Sequence, residues 1–162
     1  MKRTHYLVVY FTRKGATFEM AQEIAATLSQ EESAVVVVVP SFEVDAQQIL
    51  ACDGLFIGSP CYFDSYAGAI QDLFERTYEA IEDRVAGKLV CLFIAAGDDP
   101  KPACVALTRL VQKIGLSVFS EAILRISGDP IELWKARCRD VARAFHRVVG
   151  ELSDKSGSNE DR

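Results

Sequence analysis

Short apolar runs alternate with longer amphipathic segments along the chain. Strands are predicted at residues 6–11, 34–39, 55–57 and 88–95, and a fifth within residues 116–126, because these runs are short and rich in β-branched or aromatic residues. The second run holds five consecutive valines. Such a continuous run is typical of a parallel strand covered on both faces.

The segments after the first, third, fourth and fifth runs carry apolar residues at helical spacing. Helices are therefore predicted over residues 18–28, 67–81, 104–114 and 130–149. Gly115 is the expected C-cap of the third helix, and Asp129 is the expected N-cap of the last. Strands that alternate with helices predict an α/β fold, a doubly wound parallel sheet with right-handed crossovers.

The chain has 162 residues, a length that fits one domain. We expect this domain to occupy residues 1–152. Residues 153–162 contain no apolar residue, so they are expected to form a disordered tail.

The formal net charge of −5 argues against nucleic acid or an anionic membrane as the main partner. No charge-free apolar stretch reaches about 18 residues, and the first residues lack a secretory pattern, so the cytoplasm is the expected location. Five cysteines without a Cys-x-x-Cys pair fit neither a disulfide framework nor a zinc site. No metal ligand set and no catalytic acid or base is predicted.

Ligands of such sheets bind beyond the carboxyl ends of the strands, so the loops after the first, third and fourth strands are the candidate site. The first loop directly precedes a helix, whose unpaired amides and dipole favour an anion such as phosphate. An alternative is that Thr17 only caps this helix. The loop contains neither a P-loop nor a G-x-G-x-x-G pattern. Its residues are Thr12, Arg13, Lys14, Gly15, Ala16 and Thr17.

Three segments resemble the flavodoxin family. Residues 8–24, VVYFTRKGATFEMAQEI, resemble the flavodoxin signature across a strand, a loop and a helix face. Residues 53–63, DGLFIGSPCYF, resemble the D-G-x-x-x-G-S-P-x-Y-F stretch of flavodoxins and of flavodoxin-like FMN-dependent reductases, and residues 71–76 resemble the helix that follows. The resemblance covers about residues 5 to 150. It implies a flavodoxin-like three-layer sandwich, a five-stranded sheet of order 2-1-3-4-5, and FMN as the cofactor.

The resemblance also implies which part of the cofactor each loop binds. The first loop would bind the ribityl phosphate, and the loops after strands three and four would hold the isoalloxazine ring. Tyr62, Phe63 and Tyr66 offer faces for stacking, although Phe63 and Tyr66 are alternatively core aromatics. The implied ring-binding residues are Ser59, Pro60, Cys61, Tyr62, Phe63, Asp64, Ala96, Gly97 and Asp98.

Two of these residues have alternative interpretations. Cys61 is expected to contribute its backbone rather than a redox-active thiol, since no histidine stands near it in the sequence. Asp98 and Asp99 alone would indicate a solvated turn or, less plausibly, a metal site without a third oxygen ligand.

The sequence departs from the family pattern in three places. The third loop has no aromatic residue that could cover the flavin, and Arg13 and Lys14 add positive charge to the phosphate loop. Asp64 stands where relatives often have glycine, which puts in doubt the peptide flip that stabilises the semiquinone in this family. Alternatively, Asp64 caps a helix that begins near Ser65.

These observations indicate an FMN-binding redox protein that transfers electrons through the flavin. Its partner would be a redox protein, or NAD(P)H and a small-molecule acceptor, so a shuttle and an NAD(P)H-dependent reductase of quinones or flavins both stay open. A non-catalytic interaction module with the same fold is a third alternative. The oligomeric state and the redox potentials are not predicted.

Overall fold

The computed structural model describes residues 2–158. Within them, seven strands form one sheet: β1 (Thr4–Tyr10), β2 (Ala34–Pro40), β3 (Gly54–Tyr62), β4 (Ser65–Tyr66), β5 (Leu89–Ala96), β6 (Ser117–Val118) and β7 (Ile123–Ile126). The helices are α1 (Ala16–Leu28), α2 (Ala46–Ala51), α3 (Gly68–Ile81), α4 (Lys101–Ile114) and α5 (Ile131–Gly157), with a 3-10 helix at Ser41–Glu43.

The parallel part of the sheet has the order β2-β1-β3-β5-β6, and β7 also pairs with β5. The predicted order 2-1-3-4-5 is confirmed, with β5 as the fourth strand. The predicted fifth strand is split into β6 and β7, which run beside the two ends of β5. Between them Ser120 has a φ of 56°, a left-handed conformation that breaks the strand.

Alternate side chains of the central strands supply two cores, one on each face of the sheet. On one face, Tyr6 and Val8 of β1 pack with α1 and α5. On the other, Leu7 and Val9 pack with α2, α3 and α4. This is the expected three-layer sandwich.

The valine run lies in a different environment from the one expected. It forms β2, which is the edge strand of the sheet, and most of its residues are only partly buried. Val37 is 48% exposed. A continuous apolar run indicated a strand correctly, but it did not show that both faces are covered.

One helix and one helix boundary also differ from the predictions. Helix α2 was not predicted, although Asp45 and Gln48 form a capping box at its start. The N-cap of α5 is Pro130, because the Asp129 carboxylate instead accepts bonds from the Ile126 amide and from Arg137. Gly115 is the C-cap of α4, as predicted.

Helix α5 also continues through Gly157, so residues 153–157 of the predicted disordered tail are helical. The Ser156 hydroxyl donates to the carbonyls of Leu152 and Ser153 in this exposed last part. Extension of an existing helix does not require an apolar face, since propagation is easier than nucleation. Residues 159–162 of the predicted tail lie outside the described residues.

None of the helices in residues 2–158 is both long and apolar enough to cross a membrane.

Candidate functional site

A cavity of about 490 Å³ opens at the carboxyl ends of the parallel strands. Its volume lies in the range of small-molecule sites, about 300–1,000 Å³. Four loops meet there, including the three that the sequence indicated. The lining residues are Thr12, Arg13, Lys14, Ala16, Thr17, Pro60, Cys61, Tyr62, Ala95, Ala96, Gly97, Arg125, Ile126, Ser127, Gly128 and Asp129.

The first loop presents the start of α1 to the cavity. Gly15 is the N-cap at a φ of 103°, a left-handed conformation that a side chain would strain, and its amide donates to Thr12 Oγ1 over 3.0 Å. The first intrahelical bond joins the Glu19 amide to the Gly15 carbonyl. The amides of the helical residues before Glu19 therefore have no intrahelical acceptor and are available to an anion.

Thr17 is not the helix cap, so that alternative is wrong. It is the second helical residue, it is 1% exposed, and it lines the cavity. Its hydroxyl bonds to no other residue in the described part of the chain. Because Thr17 lines the cavity, this hydroxyl is available to a ligand atom there.

The second loop is a β-hairpin between β3 and β4, with Tyr62 paired to Ser65. The two turn residues, Phe63 and Asp64, have φ values of 49° and 59°. Two successive positive φ values are the pattern of a type I′ turn. The two turn residues are exposed, and Pro60, Cys61 and Tyr62 line the cavity before them.

Phe63 and Asp64 lie outside the cavity lining. Phe63 is fully exposed, so it is not a core aromatic. Asp64 is not a helix cap either, because α3 begins at Gly68 after Ala67. A flip to a type II′ turn would place Phe63 in a conformation that glycine strongly favours, which weighs against a free peptide flip here.

Ser59 supports the second loop rather than lining the cavity. It is fully buried, and its hydroxyl donates to the Pro60 carbonyl and accepts from the Ala67 amide, each over 2.8 Å. These bonds fix Pro60 relative to the start of α3. Tyr66 is half-buried, and its hydroxyl donates to Gln71.

The third loop contributes small residues. Ala95, Ala96 and Gly97 line the cavity, while Asp98 is exposed and lies outside it. Asp99 Oδ1 accepts from the Lys101 amide at the start of α4. Over residues 2–158 there is no group of three or more His, Cys, Asp or Glu side chains that could hold a metal ion.

The fourth loop was not predicted as part of the site. It follows β7 and brings Ser127, Gly128 and Asp129 to the cavity, next to Arg125 and Ile126 at the end of the strand. Its position at the carboxyl end of a parallel strand was the available signal, since such ends converge. Arg125 also donates to the carbonyl of Ala16, which ties this loop to the start of α1.

Cys61 lies in an environment that disfavours a thiolate. Burial raises the pKa of its thiol, and the nearby carboxylates of Asp64, Asp98 and Asp99 raise it further. The sulfur lies 3.8 Å from the Asp99 carbonyl, to which the thiol donates. A protonated thiol is a poor nucleophile, so the geometry favours a packing and backbone role for Cys61.

The two ends of the cavity suit the two parts of FMN, its phosphate and its ring. One end has unpaired amides, a free threonine hydroxyl and cationic side chains, which suit a phosphate dianion. The other end is lined by Pro60, Tyr62 and small residues of the third loop, which suit a flat apolar ring.

Comparison with known proteins agrees with this fit. A model of the flavodoxin domain matches residues 7–117. The chain is 27% identical over 116 residues to a flavodoxin of Aquifex aeolicus strain VF5, and the match covers 70% of this chain. It spans 63% of that relative's length.

Solved structures show the same fold. A flavodoxin from the domain Archaea superposes with a TM-score of 0.79 at 19% identity, covering 91% of this chain and 99% of that one. Oxidised flavodoxin 1 from Bacillus cereus superposes with a TM-score of 0.76 at 21% identity, covering 89% of this chain and 98% of that one. Because the flavodoxin-domain model matches more than half of the chain, the chain belongs to the flavodoxin family.

Proposed function

We propose that this protein transfers electrons through FMN held in the four-loop cavity. One observation supports the proposal: the same cavity contains the start of α1, whose free amides can bind an anion, and an apolar slot, which is the part lined by the second and third loops. When bound, FMN supplies one-electron and two-electron chemistry. The chain's own residues bind the cofactor, orient it and limit the access of water to it.

The residues of the first loop are proposed to bind the phosphate. The Gly15 conformation exposes the amides of the first turn of α1, and the hydroxyls of Thr12 and Thr17 complete the donor set. Arg13 and Lys14 are exposed, so their charges are screened and contribute less.

The second and third loops are proposed to hold the ring. Tyr62 offers an aromatic face, and Ala96 and Gly97 allow close approach of the backbone from another side. Phe63, Asp64 and Asp98 stand beside this slot rather than in its lining. Ser59 acts indirectly, since its two hydrogen bonds set the position of Pro60.

A second candidate function is an NAD(P)H-dependent reductase of quinones or flavins. The observation that favours it is the third loop, whose lining residues Ala95, Ala96 and Gly97 present no large side chain to the slot. A wall of small residues leaves room for a second flat molecule against the ring. The shuttle and the reductase differ in the partner, which is a redox protein in the first case and a small-molecule donor and acceptor in the second.

An anaerobic titration of the FMN-loaded protein tests both candidates. Reduction by dithionite in two resolved one-electron steps, with no reaction of NADH or NADPH, supports the shuttle. Rapid bleaching of the flavin absorbance by NADH or NADPH supports the reductase. A purified protein that is colourless and binds no added FMN would contradict both and favour an interaction module.

The cysteines support a reducing location. All five are unpaired in the structure, and three of them, Cys52, Cys91 and Cys138, are buried. Free buried thiols are typical of proteins from a reducing compartment. We therefore propose the cytoplasm, which fractionation of cells that produce the tagged protein would test.

A further inference from the structure

Arg125 lies where the fourth loop meets the phosphate end of the cavity. It is paired with Ala95 in the sheet register and lines the cavity. Its Nη1 donates to the Ala16 carbonyl over 3.2 Å. The side chain is 21% exposed, so its charge is less screened by water than those of Arg13 and Lys14.

A contact with Trp134 also holds the guanidinium in place. The Trp134 ring centroid lies 4.1 Å from Arg125 Cζ, and Trp134 itself is buried in the core. A guanidinium on an aromatic face keeps its edge donors free for other groups. Arg125 Nε and Nη2 donate to no residue among those that the structure describes. The group is therefore fixed in position with donors to spare.

The nearest carboxylate, that of Glu19, neutralises little of the positive charge of Arg125. Glu19 Oε1 lies 3.7 Å from Arg125 Nη1, and the Glu19 side chain is 54% exposed. An ion pair with so exposed a partner is weak. A phosphate dianion at the start of α1 carries more charge and would be desolvated with the arginine, so it would compete successfully for the free donors.

Building on the proposed FMN site, we propose that Arg125 binds the cofactor phosphate and sets the preference for a phosphorylated flavin. The role is one of binding and specificity, with no part in electron transfer. It places the principal cation of the phosphate site on β7, far in sequence from the loop that precedes α1.

The alternative is that Arg125 only connects β7 to α1 through its hydrogen bond. The affinities for FMN and for riboflavin distinguish the two roles. A tie that shapes the cavity affects both ligands, because they share the ring and the ribityl chain. A phosphate contact affects FMN alone. Loss of one charge-assisted hydrogen bond, about 1.5–3 kcal/mol, corresponds to a factor of about ten to a hundred in affinity.

The experiment measures the dissociation constants of both flavins by fluorescence quenching for the wild type and two variants of the full chain. Arg125→Gln is expected to weaken FMN about ten- to a hundredfold and riboflavin less than about twofold. Arg139→Gln is the matched control, since Arg139 donates to Glu23 and Glu132 and neither it nor these partners line the cavity. It should change the two affinities by equal factors.

Arg125→Lys separates the positive charge from the fixed guanidinium donors. It should weaken FMN less than Arg125→Gln does and leave riboflavin unchanged. If Arg125→Gln weakens the binding of both flavins equally, or weakens neither, the inference is overturned. The proposed function would still stand if the wild-type protein binds FMN more tightly than riboflavin. A wild-type protein that binds neither flavin would instead overturn the proposed function. If Arg125→Gln does not fold, an unchanged FMN affinity in Arg125→Lys would count against the inference.

Discussion

Thr17 presents a hydroxyl to the cavity from an almost fully buried side chain. Because Gly15 rather than Thr17 is the N-cap, removal of this hydroxyl should cost little stability. Thr17→Val keeps the shape and is expected to weaken FMN binding about tenfold, the value of one hydrogen bond to a charged group. Riboflavin affinity should not change.

Thr27→Val is a matched control for this prediction. Thr27 is buried on the same helix, but its hydroxyl donates to the Glu23 carbonyl away from the cavity. It should alter the melting temperature without altering either flavin affinity. Full FMN affinity in Thr17→Val, measured by fluorescence quenching, would remove Thr17 from the phosphate site.

Phe63 combines full exposure with a left-handed backbone, which is unfavourable for a bulky residue by about 1 kcal/mol or more. Phe63→Asn should therefore raise the free energy of unfolding by about 1 kcal/mol, since asparagine tolerates this conformation and no packing is lost. Phe42→Asn removes another exposed phenylalanine, one without a positive φ, and should give no such gain. Denaturant unfolding of the two variants makes the comparison, and equal changes would contradict the turn argument.

The helix that the sequence analysis missed, α2, is stabilised at its end by a distant side chain. Lys88 Nζ donates to the carbonyls of Ile49, Leu50 and Cys52, over 2.6 to 3.0 Å. These carbonyls close a six-residue helix that would be too short to persist alone. Lys88 lies 36 to 39 residues from these carbonyls in the sequence, so local residue spacing cannot predict the contacts.

Lys88→Met tests this tether. It keeps the apolar stem but removes three charge-assisted bonds, so the free energy of unfolding should fall by about 2 kcal/mol. FMN affinity should be unchanged, because Lys88 precedes β5 while the cavity lies at its other end. Lys113→Met, an exposed lysine in the last turn of α4, should have little effect. Equal losses of stability in the two variants, measured by chemical unfolding, would contradict this role of Lys88.

The second loop lies at the cavity, but the resemblance did not distinguish residues that line the cavity from residues that support the loop. Gly58 is required by packing, since a Cβ there would lie 1.9 Å from the Phe93 ring. Ser59 is required by its two hydrogen bonds, and Pro60 to Tyr62 line the cavity. One motif thus contains residues with three different roles, which only the three-dimensional structure separates.

The elements themselves were largely predictable because their apolar periodicities are strong. Strand order followed from the family resemblance, and the loops after β1, β3 and β5 line the cavity. The fourth loop was not predicted, because the expected fifth strand is interrupted at Ser120 and only its second part, β7, ends at the cavity. Asp129 was misassigned for a related reason: its carboxylate has a partner on α5, Arg137, that a local capping rule does not consider.

The whole molecule buries several thiols, which gives its stability a dependence on alkaline pH. Burial raises the pKa of the Cys52 thiol to about 11, against 9.0 for an ordinary thiol, although the Lys88 ammonium opposes the shift. The pKa of Cys138 is raised to about 12, also mainly by burial. Above pH 9 the unfolded chain therefore loses protons that the folded chain retains, and stability falls as the pH rises.

Cys52→Ala isolates one part of this dependence. In the wild type, Cys52 alone should cost about 2 kcal/mol of stability by pH 11. The variant should start less stable at pH 8 and then lose less stability between pH 9 and pH 11. Parallel stability profiles of the two proteins, from urea unfolding at several pH values, would contradict the assignment.

At the level of the whole molecule, the cavity depends on elements from both halves of the chain. The start of α1, the β3–β4 hairpin, the end of β5 and the end of β7 converge because parallel strands place their carboxyl ends at one edge. We propose that one end of this cavity binds phosphate and the other binds the flavin ring.

The most direct test compares FMN with riboflavin on the wild-type protein by fluorescence quenching at fixed ionic strength. The two ligands share the ring and differ in the phosphate, so their affinity ratio measures the phosphate end alone. Several charge-assisted hydrogen bonds should make FMN bind at least about a hundredfold more tightly. Equal dissociation constants for the two flavins would contradict the account.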